Sequence, residues 1–309
     1  MRPASFPLAS TAMGWRFPAS THPLLGRMQA TPHPSWKLAI SDRLAWLEGH
    51  RINGVPLFPA TGYVEMALAT ARAQFGGEAF LLTDVSFLAA LCLCEPLEQT
   101  CLRTSLFPED GRFEIHSRND RNMPWRLHAK GVVQALPANT GNHRLSPDVL
   151  YSRCGTLSPA APAYAALQAA GFGYAGLFRG MVSLTACGHE TLAELTPGRA
   201  GWIIDPVQLD SGLQSLLASL GGNEHGLFLP VGIKRLQVNG ATADAVLAYG
   251  HSAFGDGAVR LHADLCLLDR NGRVSMDLQG LTARPMTAGL AQRVFRYLGV
   301  ADCGSRQPT

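Results

Sequence analysis

Two polar side chains in apolar settings hold the chemistry this sequence could do. His50 stands in the run Leu47-Glu48-Gly49-His50-Arg51-Ile52-Asn53-Gly54-Val55-Pro56-Leu57-Phe58-Pro59. Asp210 stands in Asp205-Pro206-Val207-Gln208-Leu209-Asp210-Ser211-Gly212-Leu213-Gln214. A neutral histidine near pH 7 suits the work of a base. A carboxyl on a helical face with Val207, Leu213 and Leu217 is pushed toward its protonated form and can serve as an acid. Gln214, four positions on, shares that face and can hydrogen-bond the carboxyl or a hydroxyl beside it. Such a pair suits acid–base elimination of water: the base takes a proton from carbon and the acid protonates a departing hydroxyl. Gly54 permits close approach of its amide to a ligand carbonyl, and a helix starting near Pro59 adds partial positive charge. Together they read as an oxyanion site.

Composition removes several other classes. The net charge of +3 and the absence of a Lys/Arg-rich run argue against nucleic acid. Seven cysteines are present with no C-x-x-C pair and no zinc-like Cys/His spacing, so buried thiols in a reducing cytosol are the expected reading. There is no G-x-G-x-x-G, no P-loop and no metal motif. No window reaches the roughly 18 apolar residues of a membrane span. A cytoplasmic protein with no directly bound cofactor and no metal is expected.

The elements that must hold these residues are mostly short strands. Alternating runs predict strands over 37–40, 85–93, 101–107, 112–116 and 125–134, and again over 181–186, 191–195, 228–238, 245–252, 260–268 and 274–280. Asp269-Arg270-Asn271-Gly272 joins the last two as a hairpin. Two helices stand out, one from Pro59 to Gly76-Gly77 and one from Pro206 to Gly221-Gly222, each opened by Pro and stopped by a Gly pair. A third helical stretch runs from Pro159 to Ala170. Strands follow each of the first two helices, which makes a coarse internal repeat: one helix and a sheet to wrap it, twice.

The run from His50 to Pro59 reads H-x-x-x-G-x-x-x-x-P and continues into Gly62-Tyr63-Val64-Glu65-Met66. It closely resembles the first signature of dehydratase domains of modular type I polyketide synthases. Asp210-Ser211-Gly212-Leu213-Gln214 resembles the second signature, an Asp followed four residues later by Gln or His. Gly173-Tyr174-Ala175-Gly176-Leu177-Phe178-Arg179-Gly180 resembles the family's Tyr-Gly-Pro-x-Phe-x-Gly segment, Leu229-Pro230 with Arg235 its Leu-Pro strand, and His22-Pro23-Leu24-Leu25-Gly26 its opening. The likeness covers about residues 22–285. Two positions depart from the pattern. Ala175-Gly176 replaces Gly-Pro, and Gly49 stands before His50 where Asp is common.

The resemblance implies an α+β double hotdog: two halves in one chain, each an antiparallel sheet around a central helix. The expected layout is a linker over 1–22, halves over 23–137 and 156–288, a linker over 138–155 between them and a tail over 289–309. The resemblance further implies dehydration of a 3-hydroxyacyl thioester, His50 as base and Asp210 as acid, with Gly54, Pro59, Tyr174 and Gln214 along the substrate. Glu65 is expected as a buried hydrogen-bonding residue. The substrate would arrive on the phosphopantetheine of an acyl carrier protein, and the chain would be a homodimer among other synthase domains. Alternatives are the same fold with pyran-ring closure or a double-bond shift, and a degenerate structural domain.

Overall fold

The structure, a computed structural model, describes residues 22–40, 42–93, 100–119, 122–137, 140, 143–220, 227–255 and 260–286. The tails expected over 1–22 and 289–309 and the Gly221-Gly222 stop lie outside the described residues, apart from His22.

The first half contains β1 (Arg27–Gln29), β2 (Ser35–Ala39), β3 (His50–Ile52), β4 (Val55–Pro56), α1 (Ala60–Phe75), β5 (Ala79–Phe87), β6 (Cys101–Phe107), β7 (Arg112–Arg118) and β8 (Arg126–Ala135). The second contains α2 (Pro147–Cys154), β9 (Ser158–Pro159), α3 (Ala161–Ala169), β10 (Phe172–Tyr174), β11 (Met181–Cys187), β12 (Glu190–Leu195), α4 (Pro206–Ser219), β13 (Phe228–Asn239), β14 (Leu247–Phe254), β15 (Leu261–Leu268) and β16 (Val274–Pro285).

The sequence repeat is a structural one. Strands β5 and β13 follow α1 and α4 and pair antiparallel, with Ala79 opposite Asn239 and Ser86 opposite Gly232. Outward from that seam the order is β8-β7-β6-β2-β1 on one side and β16-β15-β14-β12-β11-β9 on the other. The two wrapped helices thus share one continuous antiparallel sheet of 13 strands. Each helix is apolar enough to be surrounded. Every residue from Thr61 to Ala71 of α1 is buried, as is every residue from Pro206 to Gly212 of α4. This is the double hotdog layout. Among the described residues no helix is long and apolar enough to cross a membrane.

Both helices begin where their prolines place them. Pro59 precedes α1 with extended backbone, and Pro206 opens α4 behind Asp205, whose carboxylate accepts from the Val207 amide at 3.0 Å. Arg199 grips that cap through Nε at 2.8 Å and Nη2 at 2.7 Å. Glu65 ties the halves together. It sits on α1, fully buried, and accepts from the amides of Ile203 at 2.7 Å and Ile204 at 2.8 Å just before α4. His22 Nε2 approaches the same carboxyl at 2.8 Å.

Two segments differ from expectation. The stretch 138–155 carries α2, because Leu150 and Cys154, four apart, make an apolar stripe that packs on Leu192 of β12. The run expected as one strand over 85–93 is divided. Strand β5 ends at Phe87, and Leu91 and Leu93 instead bond Phe58 and Pro56, the Phe58 amide donating to the Leu91 carbonyl at 2.9 Å and the Leu93 amide to the Pro56 carbonyl at 2.9 Å.

Candidate active site

His50 is placed by a small second sheet. Strands β3 and β4 form a hairpin whose turn is Asn53-Gly54, with φ of 49° and 79°. Both turn residues have positive φ, as a two-residue type I′ hairpin requires. Strand β10 from the second half pairs on the other side of β3, setting Tyr174 opposite His50 and Phe172 opposite Ile52. Each half thus contributes to this sheet. Asp210 arrives from α4, one turn past its capped start.

The two side chains meet. His50 Nε2 lies 3.8 Å from Asp210 Oδ1, and both residues are less than a tenth exposed. His50 Nδ1 lies 2.9 Å from the Leu57 carbonyl oxygen. A carbonyl only accepts, so Nδ1 carries the hydrogen in the neutral ring and the Nε2 lone pair faces Asp210. The rings of Phe178 and Tyr174 lie at 5.1 Å and 5.7 Å from the imidazole and limit its rotation. Burial raises the Asp210 pKa above the ordinary carboxyl value, against the opposing effects of His50 and the Gln214 hydrogen bond. Gln214 Nε2 donates to Asp210 Oδ2 at 2.7 Å and to the Phe178 carbonyl at 3.0 Å. Tyr174 is pushed well above its ordinary value, first by burial and then by the negative charge of Asp210.

A cavity of about 650 Å³ runs between the halves, and His50, Asp210 and Tyr174 line it. The first half also contributes Phe58, Ala60, Tyr63, Ser86 to Ala90 and Arg126, and the second Leu213, Leu217 and Phe228 to Val231. Three of the residues expected along the substrate do not line it. Gly54 is exposed, and its positive φ serves the β3–β4 turn rather than a ligand. Pro59 is buried behind its neighbours and fixes the start of α1. Ala60, not Gly54, brings the helix start to the cavity, where first-turn amides lack intrahelical acceptors. Gln214 is fully buried behind Asp210 and holds that carboxyl. Sequence reasoning missed the Leu57 carbonyl, since only the hairpin folds it back onto His50. It also left Tyr63 inside a motif without assigning its hydroxyl a task.

Comparison with known proteins identifies the family. Residues 22–118 match the family model described as polyketide synthase dehydratase domain. Residues 143–293 match the one described as polyketide synthase dehydratase N-terminal domain. The chain belongs to the polyketide synthase dehydratase family. The dehydratase domain from the CurF module of curacin polyketide synthase superposes with a TM-score of 0.75 at 23% identity, over 85% of this chain and 98% of that one. A trans-AT polyketide synthase dehydratase domain from Brevibacillus brevis superposes with a TM-score of 0.76 at 21% identity, over 87% and 100%. These likenesses show the fold. Mycoketide-CoA synthase of Mycobacterium tuberculosis is 28% identical over 91% of this chain, which spans 7% of that protein. Phenolphthiocerol synthesis polyketide synthase type I Pks15/1 of Mycobacterium bovis is 28% identical over 95% of the chain and 14% of its own length. The chain therefore spans a small part of these relatives.

In this dehydratase domain the two departures from the family pattern touch each other. A Cβ on Gly49 would lie 2.3 Å from the Ala175 carbonyl oxygen, and the Ala175 amide donates to the Gly49 carbonyl at 2.9 Å. Gly176 has φ of 55°, which proline cannot adopt. The glycine before His50 makes room for the altered loop after Tyr174. The loop in turn carries Phe178 against the imidazole.

Proposed function

We propose that this domain removes water from a 3-hydroxyacyl thioester carried on the phosphopantetheine of an acyl carrier protein, with His50 as base and Asp210 as acid. The observation that carries this reading is the 3.8 Å approach of His50 Nε2 to Asp210 Oδ1 across the cavity wall, with Nδ1 occupied by Leu57. Nε2 takes the proton from C2, which the thioester carbonyl acidifies. Electrons move from the C2–H bond into the new C2–C3 double bond, and the C3–O bond breaks. Asp210, whose pKa burial raises, gives its proton to the departing hydroxyl. Charge that develops on the thioester oxygen is met by the start of α1 at Ala60.

After water forms, the pair stands as imidazolium and carboxylate. Two unit charges this close attract by about 4 kcal/mol at a protein-like dielectric, so the same proximity that arranges the substrate also stabilises the product state. Return of the proton from His50 to Asp210 resets the site. Gln214 positions Asp210, and Tyr174 lies over the imidazole from the opposite strand. The cytosol, a homodimeric state and neighbouring synthase domains complete the proposal, with no cofactor held by this chain. The neighbouring domains are supported by the curated relatives, which are synthases much longer than the chain.

The test is direct. A 3-hydroxyacyl thioester of an acyl carrier protein is incubated with the purified chain, and the carrier protein is weighed by mass spectrometry. The expected product is lighter by one water. An unchanged mass under conditions where the chain is folded contradicts the proposal.

A further inference from the structure

Tyr63 stands one turn into α1, three residues after Ala60, and both line the cavity. Phe58 and His128 pack around its ring at 4.8 Å and 6.0 Å. The residue is 3% exposed, and its hydroxyl has no hydrogen-bonding partner among the described residues. A buried hydroxyl left without a partner is costly, and folded proteins retain few of them without a use. The histidine stacked on its ring is already committed. His128 meets Ser117 Oγ through Nε2 at 2.7 Å and the Ala89 carbonyl through Nδ1 at 2.9 Å. Burial keeps the phenol protonated, so it is available as a donor.

The proposed reaction fixes which part of the substrate passes Tyr63. His50 acts on C2 and Asp210 on the oxygen at C3, so C1 lies toward the first half and the acyl tail toward the second. The walls match that direction. Beyond Asp210 the second half offers Leu213, Leu217 and Phe228, which suit hydrocarbon, with Arg284 as the charged side chain on that side. Beside His50 the first half offers Tyr63, Ser86 and Arg126, which suit a polar arm. The pantetheine arm attached at C1 carries amides, whose carbonyls need donors once they leave water.

We propose that the Tyr63 hydroxyl donates a hydrogen bond to an amide carbonyl of the pantetheine arm, making this domain selective for thioesters that carry that arm. The inference rests on the dehydration reading and extends it from the reacting carbons to the carrier side of the substrate.

The experiment compares Tyr63→Phe with the unaltered chain on three thioesters. One is 3-hydroxybutyryl-pantetheine. The second is the same acyl group on ethanethiol, which has no amide. The third is an ethanethiol thioester with an added hydroxyl on its acyl tail. Tyr63→Phe should raise KM for the pantetheine thioester roughly five- to tenfold, the effect of one hydrogen bond, and leave its kcat nearly unchanged. KM for both ethanethiol thioesters should not change. The melting temperature should not fall, because the ring remains and an unpaired buried group is gone. An unchanged KM for the pantetheine thioester, or an equal rise on pantetheine and plain ethanethiol thioesters, overturns the role of Tyr63. So does a rise that follows the tail hydroxyl, since it reverses the direction of binding. Failure of the unaltered chain to dehydrate any of the three overturns the dehydration reading itself.

Discussion

One methyl group at Gly49 tests how the second half holds the first half's histidine. The Cβ of Gly49→Ala would lie 2.3 Å from the Ala175 carbonyl oxygen and 3.3 Å from the Phe178 ring. Ordinary contact begins near 3.4 Å, so the backbone at Ala175 must retreat by about 1 Å. A backbone carbonyl cannot swing aside as a long side chain can. The retreat stretches the 2.9 Å bond from the Ala175 amide to the Gly49 carbonyl. Overpacking of this kind costs about 1–3 kcal/mol, and the weakened hydrogen bond about 1 kcal/mol more. The sum of about 2–4 kcal/mol corresponds to a fall of roughly 5–10 °C in Tm for a domain of this size. The displacement passes to Tyr174, which pairs with His50, and to Phe178, whose ring lies 5.1 Å from the imidazole. A displacement of about 1 Å at a reacting group can lower turnover roughly a hundredfold. Urea unfolding followed by fluorescence of the buried Trp36 and Trp202 measures the stability. Turnover of a 3-hydroxyacyl thioester measures the site. A Gly49→Ala variant with unaltered midpoint and turnover refutes the argument that this contact sets the position of β10 against β3.

Further expectations concern Asp210. Gln214→Leu removes the 2.7 Å bond to the carboxyl, which favours the ionised form, so the Asp210 pKa rises further. The alkaline limb of the kcat–pH profile should then move to higher pH. The rate should fall less than in Asp210→Asn, since Gln214 delivers no proton; a limb that moves down, or a variant as inactive as Asp210→Asn, contradicts this. The pKa of Asp210 is raised on folding, so the native state binds more protons than the unfolded chain above the unfolded carboxyl value of about 4. The contribution of Asp210 is therefore fully present below that pH and is lost as pH rises through the folded value. Asp210→Asn removes this dependence. Its Tm should exceed that of the unaltered chain at pH 8 by more than at pH 4, and a gap that narrows with rising pH contradicts the burial argument.

Much of the fold was legible because its signals are local. Pro59 and Gly76 bracket α1, and Pro206 opens α4, as their backbone preferences require. Cys101–Phe107 alternates inward and outward along its length and was readable at both ends. The seam between β5 and β13 was not readable, since strand pairing between halves leaves no mark in either strand alone. Strand β5 also hid its course. Asp84 takes φ of 52° inside it, where pairing with β8 slips between Thr83 and Ser86. The strand expected over 85–93 begins at Ala79, and Asp84 is an irregularity within it. Strands β3 and β10 are three residues each and gave too little pattern to read. At the site, residue types and motif order pointed to His50 and Asp210, whereas distance in three dimensions decided which neighbours line the cavity. Gly54 illustrates the difference: its flexibility was evident, but the turn that uses it was not.

The central claim is that His50 takes the proton and Asp210 gives one. It is tested most directly by the single-turnover rate of water loss from a carrier-bound 3-hydroxyacyl thioester in the unaltered chain, His50→Ala and Asp210→Ala, with folding checked by circular dichroism. Each substitution should lower the rate by roughly 10²–10⁴-fold while the fold persists. Retention of most of the rate in either folded variant would contradict the assignment.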